Sequence, residues 1–135
     1  MKKLFVDTPG WMSMADSNDP LHKICREIRD NWLKQGSILV TSDYVIDETL
    51  TLIRMRLGIG AAEKWWNQLA DSPRLKLEWV HSERAERARE WFFKWKDKSF
   101  SFTDCTSFVV MKDLQLDNVL TSDKHFVQAG FEILP

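Results

Sequence analysis

The sequence predicts an α/β fold in which a small parallel sheet is flanked by helices on both faces. Short apolar runs alternate along the chain with longer segments whose apolar residues recur every three or four positions, which indicates strands separated by helices. Strands joined through helices pair in parallel by right-handed crossovers. The 135 residues fit one domain spanning 1–135. With 44% hydrophobic residues and a net charge of −1, the chain is neither disordered nor able to hold nucleic acid by overall charge.

The first half of the chain predicts two strands, each followed by a helix. Residues 3–6 form an apolar strand, and the turn formers at 7–10 end it. Asp19 and Pro20 have the residue types of a helix N-cap and first turn. The predicted elements are a strand at 3–6, a helix from Pro20 to Gly36, a strand at 38–40 and a helix from Asp43 to Gly58.

The second half repeats the pattern. Its predicted elements are a helix at 61–70, a strand at 75–80, helices starting at Ser82 and Ser101, a strand at 119–121 and an edge strand at 131–134. The helix from Ser82 is expected to bury Ala85, Ala88, Phe92 and Trp95, which recur at helical spacing.

Acidic residues fall where the predicted strands end. Asp7 follows the first strand directly, Asp43 follows Val40 by three residues, and Asp123 follows Thr121 by two. Because ligands of parallel sheets bind at the carboxyl edge, these positions favour a site there. Glu48 lies one helical turn beyond Asp43 without a basic neighbour, and Asp104 precedes an almost uncharged run.

Each acid also has a purely structural interpretation. Asp7 and Asp123 suit turns, Asp43 suits an N-cap, and Asp47 suits a solvated helix face. Asp104 has the capping-box spacing from Ser101. These interpretations do not explain why four acids converge on one edge. Clustered carboxylates repel unless a cation neutralises them, and oxygen ligands without Cys or His favour Mg²⁺ or Mn²⁺, ions that act on phosphate oxygens.

Four segments carry a resemblance to a known family: FVDTPGW at 5–11, VTSDYVIDETLTLIR at 40–54, SFTDCTSFVVM at 101–111 and LTSDKHF at 120–126. In order and spacing the chain resembles the PIN-domain family, most closely its VapC-type toxins, over nearly its whole length. The resemblance implies an RNA-cleaving α/β domain with an acidic quartet that binds Mg²⁺ or Mn²⁺. The quartet maps onto Asp7, Glu48, Asp104 and Asp123. Thr8 and Thr103 occupy positions where the family commonly has a hydroxyl that supports the neighbouring acid.

The roles implied by the resemblance are those of a hydrolase with a metal-activated water. Asp7 and Asp104 are expected to be direct metal ligands, and Asp123 a ligand directly or through water. Glu48 is expected to bind a second metal or to orient the attacking water. Pro9 departs from the Ser or Asn usual in the family. The alternative is therefore a catalytically impaired PIN-like module that binds nucleic acid or protein.

Two other families that carry acidic residues at strand ends fit the sequence less well. A response-regulator receiver domain needs adjacent acids at the first strand, and a haloacid-dehalogenase-like phosphatase needs a second Asp at position 9. Thr8 and Pro9 stand there instead.

Substrate contacts are expected from basic side chains near the quartet. Candidates for phosphate contacts are Arg54, Arg84, Arg87 and His125, although a solvated helix face explains each arginine alone. Phe93 lies off the apolar stripe of its helix and suits base stacking or contact with another protein.

The expected partners are an RNA substrate and a second copy of the chain in a homodimer. The resemblance adds the toxin role in a type II toxin–antitoxin pair, with a small antitoxin whose C-terminal segment covers the acidic cleft. Cys25 and Cys105 are too isolated for a zinc site and fit reduced thiols. The apolar run near the N-terminus is too short for a membrane span, and a cytoplasmic location is expected.

Overall fold

The computed structural model describes residues 2–135. Its strands are β1 (Lys3–Val6), β2 (Ile38–Ser42), β3 (Leu75–Glu78), β4 (Asn118–Leu120) and β5 (Glu132–Leu134). Its helices are α1 (Thr8–Ala15), α2 (His22–Lys34), α3 (Asp43–Leu57), α4 (Ile59–Ala70), α5 (Ser82–Lys94), α6 (Phe102–Asp113) and α7 (His125–Gln128). In this described part of the chain, no helix has both the length and the apolar character to cross a membrane.

The five strands form one sheet in the order β3-β2-β1-β4-β5, and every pair is parallel. This confirms the predicted fold class. β1 is central, with Phe5 opposite both Val40 of β2 and Val119 of β4. Its apolar residues are fully buried, as expected for a strand inside a parallel sheet. The carboxyl ends of β1, β2 and β4 therefore share one edge.

Helix α1 corrects the prediction of a turn at residues 7–10. The helix begins at Thr8, directly after β1, and Pro9 lies in its first turn. Six of its eight residues are buried, so the sequence shows no polar face from which a helical period could be recognised. Gly10 packs against β4: a Cβ there would lie 2.3 Å from the carbonyl oxygen of Leu120.

Three predicted local roles are also corrected. Helix α2 begins at His22 rather than Pro20, because the Asp19 carboxylate forms a turn by accepting the amide of Leu21 at 2.8 Å. The N-cap of α3 is Ser42, whose hydroxyl accepts the amide of Val45. The Asp43 carboxylate instead accepts the amide of Val80 at 2.8 Å, which ties the end of β3 to α3.

The predicted burial of Phe92 and Trp95 is wrong. Phe92 is 37% exposed and Trp95 43% exposed, whereas Ala88 is fully buried. Helix α5 packs mainly on α6, and its C-terminal turn extends past the core. Phe93, predicted to lie off the core stripe, is 60% exposed.

An aromatic cluster around Phe108 of α6 anchors the segments that lead into the acidic edge. The Phe108 ring centroid lies 5.0 Å from those of Phe100 and Phe126. Phe100 immediately precedes Ser101, and Phe126 follows His125. The core therefore fixes the loop before α6 and the start of α7.

Candidate active site

Three aspartates meet at the carboxyl edge of the sheet. Asp7 follows β1 as the N-cap of α1 and is 3% exposed. Asp123 lies three residues beyond β4, the parallel neighbour of β1. Asp104 is in the first turn of α6 and is 6% exposed. Asp7 and Asp123 thus lie beyond the ends of neighbouring strands, as the strand-end argument predicts, and Asp104 joins them from α6.

The predicted capping box at Asp104 is confirmed. The Asp104 amide donates to Ser101 Oγ at 2.9 Å, and the Ser101 amide donates to Asp104 Oδ2 at 3.1 Å. The same Oδ2 lies 3.6 Å from Nδ1 of His125. Capping therefore does not compete with a role in the site, because the cap aims this carboxylate at the other acids.

Asp123 is held by His125, two residues further along the chain. Its Oδ1 accepts the His125 amide at 2.9 Å and lies 2.7 Å from Nδ1 of the same residue. Asp104, Asp123 and His125 each place one candidate ligand atom within 4.8 Å of the other two. The structure thus places His125 among the acids.

Thr121 links two of the aspartates and is absent from the sequence-based set of site residues. Its fully buried hydroxyl donates to Asp7 Oδ2 at 3.1 Å and accepts the Asp123 amide at 3.1 Å. The available signal was the Thr-x-Asp spacing at the end of an apolar strand, which suits a hydroxyl-to-amide turn.

Burial and the neighbouring carboxylates raise the pKa values of two of these aspartates. Burial, with the nearby charges of Asp104 and Asp123, raises the pKa of Asp7 to about 7. Burial and the charge of Asp123 raise the pKa of Asp104 to about 6, although the Ser101 amide and His125 act in the opposite direction. Carboxyl groups with such raised pKa values mark a site that attracts positive charge.

Glu48 lies on α3, half-buried, rather than in direct contact with the three aspartates. Its neighbour Thr49 donates a hydrogen bond from Oγ1 to Thr8 Oγ1 at 3.0 Å. This bond holds the Glu48 turn of α3 beside the start of α1, next to Asp7. A supporting role for Thr8, acting through α3, stays a prediction. Thr103 is half-buried, its carbonyl accepts the Thr106 hydroxyl, and its supporting role stays a prediction.

The predicted arginine contacts lie elsewhere. Arg84 pairs with Asp113 at 2.9 Å and with Glu78 at 3.0 Å, and Arg87 pairs with Asp113 at 2.7 Å. These bonds tie α5 to β3 and α6 and already neutralise both guanidinium groups. Arg54 is exposed on α3, six residues beyond Glu48. Of the four predicted contact residues, His125 is the one placed within the aspartate cluster in the described chain.

The donors at this edge fit a hard divalent cation. Asp7, Asp104 and Asp123 offer carboxylate oxygens, which Mg²⁺ and Mn²⁺ prefer. The adjacent Cys105 is fully buried, and burial raises the pKa of its thiol to about 12. Cys105 is also not among the candidate ligand atoms grouped with Asp104, Asp123 and His125 in the described chain, so this set contains no zinc–sulfur pair.

A parallel α/β sheet with carboxylates clustered at its carboxyl edge is the architecture of an α/β domain with an acidic site. Comparison with known proteins identifies its family. The chain belongs to the PIN-domain family, whose model matches residues 4–132. The resemblance noted from the sequence is thereby confirmed.

Individual relatives agree with this assignment. The chain is 32% identical over 133 residues to VapC20 of Mycobacterium tuberculosis, named a 23S rRNA-specific endonuclease, with 98% of each chain covered. The crystal structure of VapC20, described as a sarcin–ricin loop cleaving toxin, superposes with a TM-score of 0.86 at 30% identity over 96% of each chain.

Two more distant structures share the fold. FitAcB from Neisseria gonorrhoeae has a TM-score of 0.73 at 14% identity, covering 98% of this chain and 96% of that one. DNA-bound VapBC from Salmonella typhimurium has a TM-score of 0.73 at 16% identity, covering 99% and 98%.

Proposed function

We propose that the protein is a metal-dependent endoribonuclease that hydrolyses RNA phosphodiester bonds and acts as the toxin of a type II toxin–antitoxin pair. The observation that carries the chemistry is the meeting of Asp7, Asp104 and Asp123, two of which have strongly raised pKa values. Support for RNA as substrate comes from VapC20, a 23S rRNA-specific endonuclease that matches the chain end to end.

The position of each acid suggests its role in the reaction. Asp7 and Asp104 are buried, and their carboxylates accept the Thr121 hydroxyl and the Ser101 amide respectively. They would hold Mg²⁺ or Mn²⁺, with Asp123 as the third ligand directly or through water. The cation, when bound, supplies an activated water and stabilises charge on the phosphate. Glu48, on the neighbouring helix, would bind a second ion or orient the attacking water by accepting a hydrogen bond from it.

Pro9 costs α1 no helical hydrogen bond, so its support for the alternative, a catalytically impaired binding module, comes from the missing Ser or Asn side chain alone. It lies in the first turn of α1, where backbone amides have no partner within the helix. Proline is therefore tolerated there without loss of a helical hydrogen bond. The carboxylate of Asp7 still receives the Thr121 hydroxyl.

RNA cleavage tests the proposal directly. The purified protein with Mg²⁺ or Mn²⁺ is expected to cut at least one member of a panel of ribosomal and transfer RNAs that includes a sarcin–ricin loop hairpin. EDTA is expected to stop the reaction, and Asp7→Asn provides the inactive control. If the whole panel stays intact with both metals, the binding-module alternative replaces the nuclease.

For the antitoxin, a groove between α1, α2 and α4 offers a docking place. Its cavity of about 720 Å³ has an apolar lining that includes Trp11, Leu33 and Trp65. Arg26 and Lys64 also line it, together with Arg29, which pairs with Asp30 at 2.9 Å. An amphipathic segment with acidic residues would fit it. Growth arrest on expression of the chain alone, absent for Asp7→Asn, is the expected sign of the toxin role. Normal growth with an active nuclease would indicate a processing enzyme.

A further inference from the structure

We propose that Ser99 and His125 are positioning residues for Asp123, and that the segment 99–101 thereby sets the spacing of two metal-binding carboxylates. The proposal rests on the metal-dependent function proposed above. It concerns residues that touch neither the attacking water nor the scissile bond, and it assigns His125 a role different from the phosphate contact expected from the sequence.

The Asp123 carboxylate is held on one side. Oδ1 receives both the amide and Nδ1 of His125, at 2.9 and 2.7 Å. Two donors on one oxygen fix the plane of the carboxylate and leave Oδ2 as the oxygen that a cation can use. Hydrogen-bonded ligands of this kind are what keep metal-binding carboxylates in place.

Ser99 completes the arrangement from the other side of the ring. Its Oγ lies 2.9 Å from His125 Nε2. Because an ionised Asp123 has no proton to give, Nδ1 must carry the hydrogen of the 2.7 Å contact. In the neutral ring Nε2 is then an acceptor, and the Ser99 hydroxyl is placed to donate to it. This contact holds the ring from the side opposite Asp123.

The same segment holds the second carboxylate. Ser101 caps Asp104 in both directions, and Phe100 between the two serines is 7% exposed, with its ring centroid 5.0 Å from that of Phe108. One short stretch therefore inserts its aromatic residue into the core, holds the Asp104 carboxylate with the backbone amide of Ser101, and contacts the ring that holds Asp123 with the hydroxyl of Ser99.

Mn²⁺ binding measured by calorimetry in the absence of RNA tests the inference. We expect His125→Phe to weaken Mn²⁺ binding by about 10- to 100-fold, the range typical of lost hydrogen-bond partners around a metal site. Ser99→Ala should weaken it by about fivefold, the effect of one hydrogen bond, and Ser99→Thr should restore it. Ser17→Ala, an exposed serine in the α1–α2 connection, should leave affinity unchanged.

Direct metal ligation by His125 would give a different result. Imidazole favours Mn²⁺ over Mg²⁺, so a ligand role predicts a selective loss of Mn²⁺ affinity, whereas a positioning role predicts parallel losses for both ions. A selective loss would overturn the proposal. Unchanged affinity in His125→Phe, or in Ser99→Ala with thermal stability preserved, would overturn it as well.

The state of the His125 ring gives a second test that needs no metal and no activity. Ring ¹⁵N NMR at a pH where the ring is neutral should find the hydrogen on Nδ1 in the wild type, because Nδ1 faces the Asp123 carboxylate. A hydrogen on Nε2 in the wild type would overturn the assignment even if the protein is an active nuclease. Conversely, the Nδ1 form in a protein that binds no metal would support the hydrogen-bonded chain and count against the nuclease.

Discussion

The aspartates at the carboxyl edge combine a structural contact with a charge. Asp104 closes a capping box, Asp123 accepts the His125 amide, and the carboxylate of Asp7 accepts the Thr121 hydroxyl. The structural and functional interpretations of such residues are therefore compatible, because these contacts orient the carboxylates. The strand-end rule was sufficient to find Asp7 and Asp123, but it also selected Asp43, whose carboxylate instead accepts the Val80 amide. Asp104 lies on α6 and was found from its nearly uncharged surroundings and from the family resemblance.

Thr121 could not be found in the same way. Threonine is an ordinary strand residue, and its contact with Asp7 joins positions 114 residues apart in the sequence. Such a pairing depends on strand order, which the sequence pattern does not specify.

Replacement of Asp104 by Asn separates the capping role from the metal role. Asn retains an oxygen for the cap, so Asp104→Asn should cost at most about 1 kcal/mol of stability and remove repulsion from Asp123. Thermal unfolding should show an unchanged or raised Tm, while RNA cleavage should be lost. Turnover near the wild-type rate would show that Asp104 is a cap and nothing more.

Removal of the Thr121 hydroxyl should weaken the link between Asp7 and Asp123. Thr121→Val keeps the shape but leaves the Asp123 amide without this partner, at a cost of about 1–3 kcal/mol. We expect a lower Tm and slower cleavage, and Thr121→Ser is the matched control that keeps the hydroxyl. Equal activity in the valine and serine variants would mean that the link is not needed.

The metal-free protein should lose stability as the pH rises. Asp7 is affected by the charges of Asp104 and Asp123, and Asp104 by those of Asp123 and His125. The folded-state pKa values of Asp7 and Asp104 both lie above their unfolded value of 3.8. Groups with raised carboxyl pKa values bind protons more tightly when folded, so their stabilisation is complete below about pH 4 and is lost as the pH passes through about 6 and 7. For Asp7, each pKa unit is worth about 1.4 kcal/mol.

Thermal unfolding in EDTA checks this sign. The Tm should be higher at pH 5 than at pH 8, Asp7→Asn should flatten the difference, and Mg²⁺ at pH 8 should restore stability. A Tm that increases from pH 5 to pH 8 in both proteins would contradict the raised pKa values.

Among the elements, α1 was missed by sequence reasoning because burial on nearly all sides removes the alternation that identifies a helix. Proline and glycine near its start were interpreted as turn formers, yet proline suits a first helical turn. Glycine is required by packing, since the carbonyl of Leu120 occupies the place of a side chain. The better-predicted helices, such as α2, have a solvent face that preserves the period.

A matched pair of glycine variants tests this interpretation of α1. Gly10→Ala places a methyl group against the β4 backbone and should destabilise the protein by about 3 kcal/mol or more. Gly60→Ala in α4 meets nothing within 4 Å and should be neutral or stabilise by about 0.5–1 kcal/mol. Chemical denaturation measures both, and similar effects for the two would refute close packing at Gly10.

At the scale of the whole molecule, the exposed aromatic end of α5 is where we expect a second copy to bind. Phe92, Phe93 and Trp95 are all partly or largely exposed, and aromatic side chains are enriched at protein interfaces. Light scattering at micromolar concentration should give about twice the 15.9 kDa monomer mass. Phe93→Glu should yield monomers, whereas Met55→Glu, on the exposed side of α3, should not. A wild-type mass of about 16 kDa would reject the dimer.

Because β1 pairs with β4, the acidic site is completed only after β4 has been synthesised. Asp7 is made at the start of synthesis, but β4 and the Thr121 hydroxyl that completes its surroundings follow more than a hundred residues later. Pairings this distant in sequence form late in folding. A nascent chain still short of β4 therefore carries an incomplete acidic site, so a ribosome translating this protein is not exposed to the finished nuclease through the nascent chain that it carries.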